Sequence, residues 1–494
     1  MSQDQGLINR PKSAIPSFLD YVSLKNAGSQ AKSYYYEVIP DNDLNVTAAS
    51  GNIEMVFRIP SMSGQSVYLD PSMSYLTFQA NFATNTGGFN VSGSDIINRL
   101  QVENAGVVVE DIPYYNILHS FLLDTSTGID SRATFYNVSS GTSGNFSSVA
   151  ANANLTAKAA GANVAVDTLA NQGADTDTRV DEIEAHFTTI QGEINTIVDN
   201  VEAAINNNTI DRTGTQYSAA TTVQISFPLV SLLGSLGEKY IPLSKLSSDL
   251  ILRLTMETFT NAFFADATTV ITLSNFRYVA GMIRLDQSVD NKIFESVNGV
   301  YTWHGTSFEH HRASSATGSG GESHLVPFRR SSLKSIYMLP TLQTNNLTTY
   351  GWANRLQNDL TSYQYSLDGE LQPQTAIDCG GASSVNGTGQ CLMELMKSFH
   401  GMSASNPVSS INRTNYDLYN GAGTSNATCG SFATGLELEN YANKDTILSG
   451  VNSITSSIFC NLVYATSNAN VYNDFYGLFD VLYVIENGVM SRRT

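Results

Sequence analysis

Apolar and polar residues alternate along most of this chain with a period of two, the signature of half-buried β-strands. In NIEMVFRIP, Ile53, Met55, Phe57 and Ile59 share one face. YLTFQANF puts Leu76, Phe78, Ala80 and Phe82 inward and Tyr75, Thr77, Gln79 and Asn81 outward. TVQISFPL and SDLILRLTMETF repeat the pattern with Val223, Ile225, Phe227 and Leu229, then with Leu250, Leu252, Leu254 and Met256. Turn chemistry separates these runs. RLQVENAGVVVEDI places Asn-Ala-Gly between two strand-like halves and predicts a hairpin, and Pro113 then suits the first turn of a helix over PYYNILHSFLL.

The second half repeats this order. SYQYSLDGELQPQTAI sets Asp-Gly between two extended runs, and CLMELMKSF supplies a helix some residues later. SIFCNLVYAT and YGLFDVLYVIENG close the chain, the latter apolar at nearly every position, as a strand buried on both faces should be. Two β-sandwiches in tandem account for this better than one large sheet. The boundary falls near residue 286, after the connecting strand NFRYVAGMIRLDQ. The expected parts are an arm over 1–32, a first sandwich over 33–285 and a second over 286–494.

One stretch breaks the pattern. Residues 132–213 are rich in Ala, Asn, Gly and Thr, with too few large apolar residues for a domain of their own. Within them Val180, Ile183, Phe187, Ile190, Ile194, Ile197 and Val201 are spaced three and four apart, the a/d seam of a heptad repeat. So narrow a stripe needs a partner: it packs on its own sandwich or on copies of itself. An uninterrupted 3.5-residue period favours self-association, and Ile at successive a and d positions favours three or more strands over two. If helical throughout, residues 155–205 would reach about 75 Å, at about 1.5 Å per residue.

Composition excludes several functions. The 494 residues are 42% hydrophobic and 14% charged, which is a globular balance, and the formal net charge is −18. So acidic a surface repels phosphate and argues against sequence-specific nucleic-acid binding. The first residues hold no apolar run of the signal-peptide kind, and no stretch of about 18 apolar residues occurs. The arm carries Arg10, Lys12, Lys25 and Lys32 against two acidic residues, with Phe18, Leu19 and Val22 on one side of a short amphipathic helix. It reads equally as a solvated tail or as an inward-facing anchor.

Cys379, Cys391, Cys429 and Cys460 show no paired CxxC spacing and read as reduced thiols, with a Cys379–Cys391 bridge open. Adjacent His310 and His311 on a strand point to opposite faces and cannot share a metal. GSGGES, residues 318–323, lacks the strand-to-helix context of a phosphate loop, and Arg329 and Arg330 suit a contact between the halves better than a phosphate. No catalytic, cofactor-binding or metal-ligating constellation is found.

Four stretches carry a family likeness: RLQVENAGVVVEDIPYYNIL, FPLVSLLGSLGEKYIPLSKLSSDLILRLTMET, SYQYSLDGELQPQTAI and DFYGLFDVLYVIENGVMSR. In this order they resemble the double jelly-roll major capsid proteins, in the style of those of polinton-like viruses and virophages. The resemblance implies an all-β chain of two tandem eight-stranded jelly rolls with a long helical insertion in the first. It also implies a homotrimer of pseudo-hexagonal outline that tiles the icosahedral shell of a DNA virus, with 132–213 as an outer tower. Neighbouring capsomers, minor capsid or penton proteins and, through the arm, an internal membrane are the implied partners. Neither enzymatic activity nor a cofactor is implied, and the place of the protein is the virion of an infected cell. Two rivals are a trimeric fibre or receptor-binding protein with a coiled-coil stalk, and a carbohydrate-active enzyme on jelly-roll domains. The second needs two carboxylates about 5 to 10 Å apart in an aromatic cleft, for which two Trp residues are few.

The seam generates one prediction. Replacing both Ile194 and Ile197 with Asp should lower the helical signal in far-UV circular dichroism while the β-signal and its melting stay unchanged. Retained helicity in that variant counts against the heptad seam.

Overall fold

The computed structural model describes residues 31–42, 45–47, 53–142, 189, 192, 214–265, 268–316, 318–343, 355–380, 388–399, 409–411, 416, 430–439, 449–467 and 470–493. The first half contains β1 (Ala31–Val38), β2 (Val46–Thr47), β3 (Glu54–Ile59), β4 (Val67–Phe82), β5 (Gly87–Phe89), β6 (Ile97–Asn104) and β7 (Val107–Pro113). After the insertion come β8 (Gln216–Tyr217), β9 (Thr221–Phe227), β10 (Ile241–Pro242), β11 (Leu250–Met256), β12 (Phe263–Ala265) and β13 (Ile271–Leu285). The second half contains β14 (Tyr301–Ser315), β15 (Gly318–Val326), β16 (Leu333–Leu342), β17 (Leu360–Leu367), β18 (Glu370–Asp378), β19 (Thr434–Glu437), β20 (Ile458–Ser467), β21 (Val471–Glu486) and β22 (Val489–Arg493).

These strands form two jelly-roll sandwiches on one plan. In the first, one sheet runs β1–β13–β4 with β9 on the far side of β4, and the facing sheet runs β3–β11–β6–β7. In the second, β14–β21–β16–β19 faces β15–β20–β17–β18. We call these four the β1, β7, β14 and β18 sheets. Every pairing within them is antiparallel, so hairpins and long crossings join the strands without βαβ units. In both halves the hairpin that ends one sheet is followed by a helix, Tyr115–Ser126 in the first and Gly389–Lys397 in the second.

Alternation explains the sandwich cores. Leu76, Phe78, Ala80 and Phe82 point inward and are fully buried, as are Leu250, Leu252, Leu254 and Met256 on the facing sheet. The hairpin turns use Ala105-Gly106 and Asp368-Gly369, all four residues at positive φ, the geometry that matches the twist of the flanking strands. Thr77, expected outward, is buried, and its hydroxyl donates to the Ile225 carbonyl at 3.0 Å. Arg330, expected at a contact between the halves, pairs with Glu309 of its own half at 2.7 Å.

The insertion leaves and rejoins the body at one point. Thr142 bridges Gly214, Thr215 N donates to the Gly141 carbonyl at 2.7 Å, and Gly214 N donates to Asn90 O at 2.9 Å. A Cβ on Gly214 would lie 2.2 Å from the Phe89 carbonyl oxygen, so only glycine fits there. Beyond this root, Thr189 and Gly192 are helical and exposed. The seam residues Val180, Ile183, Phe187, Ile190, Ile194, Ile197 and Val201 lie outside the described residues, as do residues 1–30 of the arm.

Candidate functional site: the seam between the sandwiches

The two sandwiches share one continuous hydrophobic core, and the helix Tyr115–Ser126 carries it across. Phe121 from this helix meets Tyr337 of β16 at 5.1 Å between ring centroids, and Tyr337 stacks on Phe399 at 4.8 Å. Aromatic rings bury much area per residue and lock the angle between the bodies.

Polar groups set in this apolar seam are answered from the other half. Asp124, in the last turn of the helix, lies between two guanidinium groups. Arg132 Nη1 donates to one carboxylate oxygen at 2.6 Å and Arg355 Nη2 donates to the other. All three side chains are 1% exposed. Arg132 also donates to Ser410 Oγ at 3.2 Å, and Ser410 N donates to the Asp124 carbonyl at 2.9 Å. A residue from each side of the chain therefore closes on one carboxylate.

A second cluster centres on Tyr114. Its backbone is left-handed (φ 49°, ψ 44°), an uncommon state for a bulky residue, where about 1–3 kcal/mol of strain is usual. Its surroundings hold it there. The Arg312 guanidinium lies 3.6 Å from its ring centroid, the His310 ring packs at 4.8 Å, and Tyr476 Oη donates to its carbonyl at 2.8 Å. Arg312 grips Asp474 with two hydrogen bonds at 2.7 and 3.0 Å, and His310 Nε2 adds a third contact at 2.7 Å. Burial alone would raise the Asp474 carboxyl, but His310 and Arg312 outweigh it and hold the group below its ordinary value.

Glu110 of β7 forms the third cluster. It is fully buried and accepts from Ser231 Oγ, from Leu232 N at 3.0 Å and from Ser307 Oγ of β14 at 3.3 Å. Desolvation pushes its pKa up to about 7, against the relief from those hydrogen bonds. His119 nearby shares a proton with Ser94 Oγ at 2.7 Å, and burial pushes it down to about 4, so the imidazole is neutral. The C-terminal hairpin adds a hook: Met490 N donates to Asn104 Oδ1 at 2.8 Å, and Ser247 N donates to the Gly488 carbonyl at 2.8 Å.

This geometry suits rigid docking. Among the described residues no three His, Cys, Asp or Glu side chains are grouped to hold a metal, and no helix is long and apolar enough to cross a membrane. His310 and His311 turn to opposite faces, one toward Tyr476 and the other toward Phe475. Cys379, Cys391 and Cys460 are buried free thiols. Sequence reasoning singled out none of Asp124, Arg132, Arg355, Glu110 or Asp474. The available signal was a carboxylate inside an apolar run, as in FLLD and VVVED, which requires a partner when the run is buried.

Two predictions follow from these clusters. Asp124→Ala leaves two buried guanidinium groups facing each other and should cost about 3–5 kcal/mol in denaturant unfolding, whereas Asp124→Leu with Arg132→Met and Arg355→Met should recover most of it. For Glu110 the folded pKa lies above the unfolded one, so its contribution is fully present below about pH 4.5 and is lost as pH rises through about 7. The melting temperature of Glu110→Gln, relative to the unchanged protein, should therefore climb between pH 4.5 and 7 and then level off. A flat difference across that range would place the proton elsewhere.

No protein-family model matches the sequence, and no curated protein matches it. Solved structures do. The fold is similar to that of VP54 of PBCV-1, as fitted into a reconstruction of the virophage Sputnik, with 8% identity, a TM-score of 0.55 and coverage of 96% of this chain and 98% of that one. A chain in the electron cryo-microscopy structure of the Sputnik virophage is 12% identical with a TM-score of 0.52, covering 100% of this chain and 92% of that one. The Faustovirus major capsid protein is 8% identical with a TM-score of 0.50, covering 94% and 92%. At such low identity what is shared is the fold, over nearly the whole of both chains.

Proposed function

We propose that this chain is a viral major capsid protein, a structural subunit without catalysis that is located in the virion shell. The observation that carries the reading is the likeness in fold to capsid proteins over nearly the whole of both chains. The seam supports it independently, because a wall element needs two bodies held at a fixed angle and the buried clusters supply that. In this reading the chain has three parts: the arm at 1–32, the first jelly roll at 33–285 and the second at 286–494. Three copies form a capsomer of six near-equivalent lobes. Of the segment expected to be inserted, 132–213, residues 132–142 pack on the body, and the part beyond the Thr142–Gly214 root stands as a tower on the outer face, clasped by Val180, Ile183, Phe187, Ile190, Ile194, Ile197 and Val201. Neighbouring capsomers are the main partners, with minor capsid or penton proteins at the vertices and a membrane beneath the mildly basic arm.

Light scattering of the purified protein, with negative-stain imaging of the same peak, tests this. The expected result is a mass near three times 53.4 kDa and a six-lobed outline. A monomer with no such outline at any concentration overturns the capsomer.

A further inference from the structure

Away from the seam, the second sandwich buries a pair of thiols side by side. Cys379 directly follows β18, and Cys391 lies in the first turn of the helix Gly389–Lys397. Alternation along the strand turns Ile377 and Cys379 inward and leaves Asp378 outward, and helical spacing turns Cys391 inward together with Leu395. Both cysteines are 0% exposed and unbridged. Backbone contacts bring the two segments together: Cys379 N donates to the Thr361 carbonyl at 2.8 Å, and Asp378 N donates to Gln390 Oε1 at 3.2 Å. The residues just before the two cysteines therefore touch, and the two sulfurs lie within hydrogen-bonding reach of each other.

The surroundings hold this pair in place. Tyr416 Oη stands 3.3 Å from Cys391 Sγ and donates to the Ala433 carbonyl at 2.8 Å, and Tyr363 Oη donates to the Gly435 carbonyl at 2.9 Å. A third buried thiol, Cys460, faces Tyr365 in register across the β18 sheet. Singly, each cysteine would be an inert small core residue. Two sulfurs in contact have one further chemistry, which is to lose two electrons together. The bond would also have a mechanical role. The helix Tyr115–Ser126, which holds the equivalent place in the first sandwich, is gripped by charged side chains from both bodies. A covalent tie to the end of β18 would grip Gly389–Lys397 with comparable firmness.

We propose that Cys379 and Cys391 form an oxidative modification site, which closes into a disulfide when the protein meets a small peroxide. Peroxide is the class of oxidant small enough to reach thiols that have no exposed surface. Cys391 Sγ gives up its proton and attacks one peroxide oxygen; the O–O bond breaks, and the departing hydroxide takes that proton and leaves as water. Cys379 Sγ then attacks the sulfenic sulfur, the S–S bond forms, and the hydroxyl leaves with the Cys379 proton as a second water. Two thiols lose two electrons and one peroxide gains them. Burial pushes the Cys379 thiol up, which keeps it protonated until its partner has been oxidised. Disulfides persist at virion surfaces and are reduced in the cytosol, so the occasion for closure rests on the shell reading above, whereas the bond itself does not.

The purified full-length chain tests the bond whatever its assembly state. Hydrogen peroxide in low excess, followed by unfolding in an alkylating reagent, should lower the titratable thiols from four to two and yield one linked peptide pair that holds Cys379 and Cys391. The oxidised protein should melt about 3 °C higher, as a short closed ring in a chain of this length implies, and a phosphine reductant should reverse the shift. Cys379→Ser and Cys391→Ala should each lose the linked pair and the shift, and a Cys429→Ser, Cys460→Ser double variant should keep both. If a single variant fails to fold, the double variant still carries the readout. Four titratable thiols after peroxide, a link through Cys429 or Cys460, or sulfinic acid in place of a link overturns the proposal. A monomer in light scattering removes the capsomer and leaves this result standing.

Discussion

A charge taken out of water has to be answered by another charge or by hydrogen bonds, and at the seam this constraint fixes how the two sandwiches sit. The Asp124 carboxylate lies at the end of a helix of the first sandwich, and one of the guanidinium groups that answer it, Arg355, belongs to the second. Either body alone would expose the mismatch. The Coulomb attraction roughly offsets desolvation, so the triad adds little net stability. What it adds is specificity, because any other docking angle leaves a buried ion without its partner. The same logic runs through Glu110 of the first sandwich and Ser307 of the second, while Arg312 and His310, fixed by Asp474 of their own sandwich, reach across to Tyr114 of the first.

Tyr114 shows what this specificity costs locally. Its left-handed backbone is unfavourable, yet the turn lets one ring face both Arg312 and His310 and lets its carbonyl receive Tyr476. The strain is offset by contacts that exist only when both sandwiches are in place. Folding of the seam is therefore coupled to completion of both cores, which are in any case one continuous cluster.

Local rules made the sandwiches legible and left the seam hidden. Phe78 and Leu252 are readable as core because burial on a strand follows a period of two, and the hairpins are readable because few residues adopt positive φ cheaply. The repeat of strand, turn, strand and helix in both halves follows from those same signals. Arg132, Ser410 and Arg355 carry no such period. They meet Asp124 only through the tertiary fold, and one sequence without pairing information holds no trace of that meeting. Thr77 was misplaced for a related reason: its hydroxyl finds the Ile225 carbonyl across the sheet, a compensation that alternation alone does not foresee. The heptad seam of the insertion lies outside the described residues and stands on its spacing.

The closed root at Thr142 and Gly214 has an evolutionary consequence. Because the two ends of the insertion are fastened to each other, and the returning end at Gly214 to the Asn90 carbonyl, the body beneath senses the gap between two neighbouring residues and not the length of what fills it. Loop-closure entropy grows only as the logarithm of length, so doubling the inserted segment costs about 0.6 kcal/mol. The root is in effect a socket. The segment between these two ends can be exchanged, lengthened or rewritten without renegotiating the packing of either sandwich.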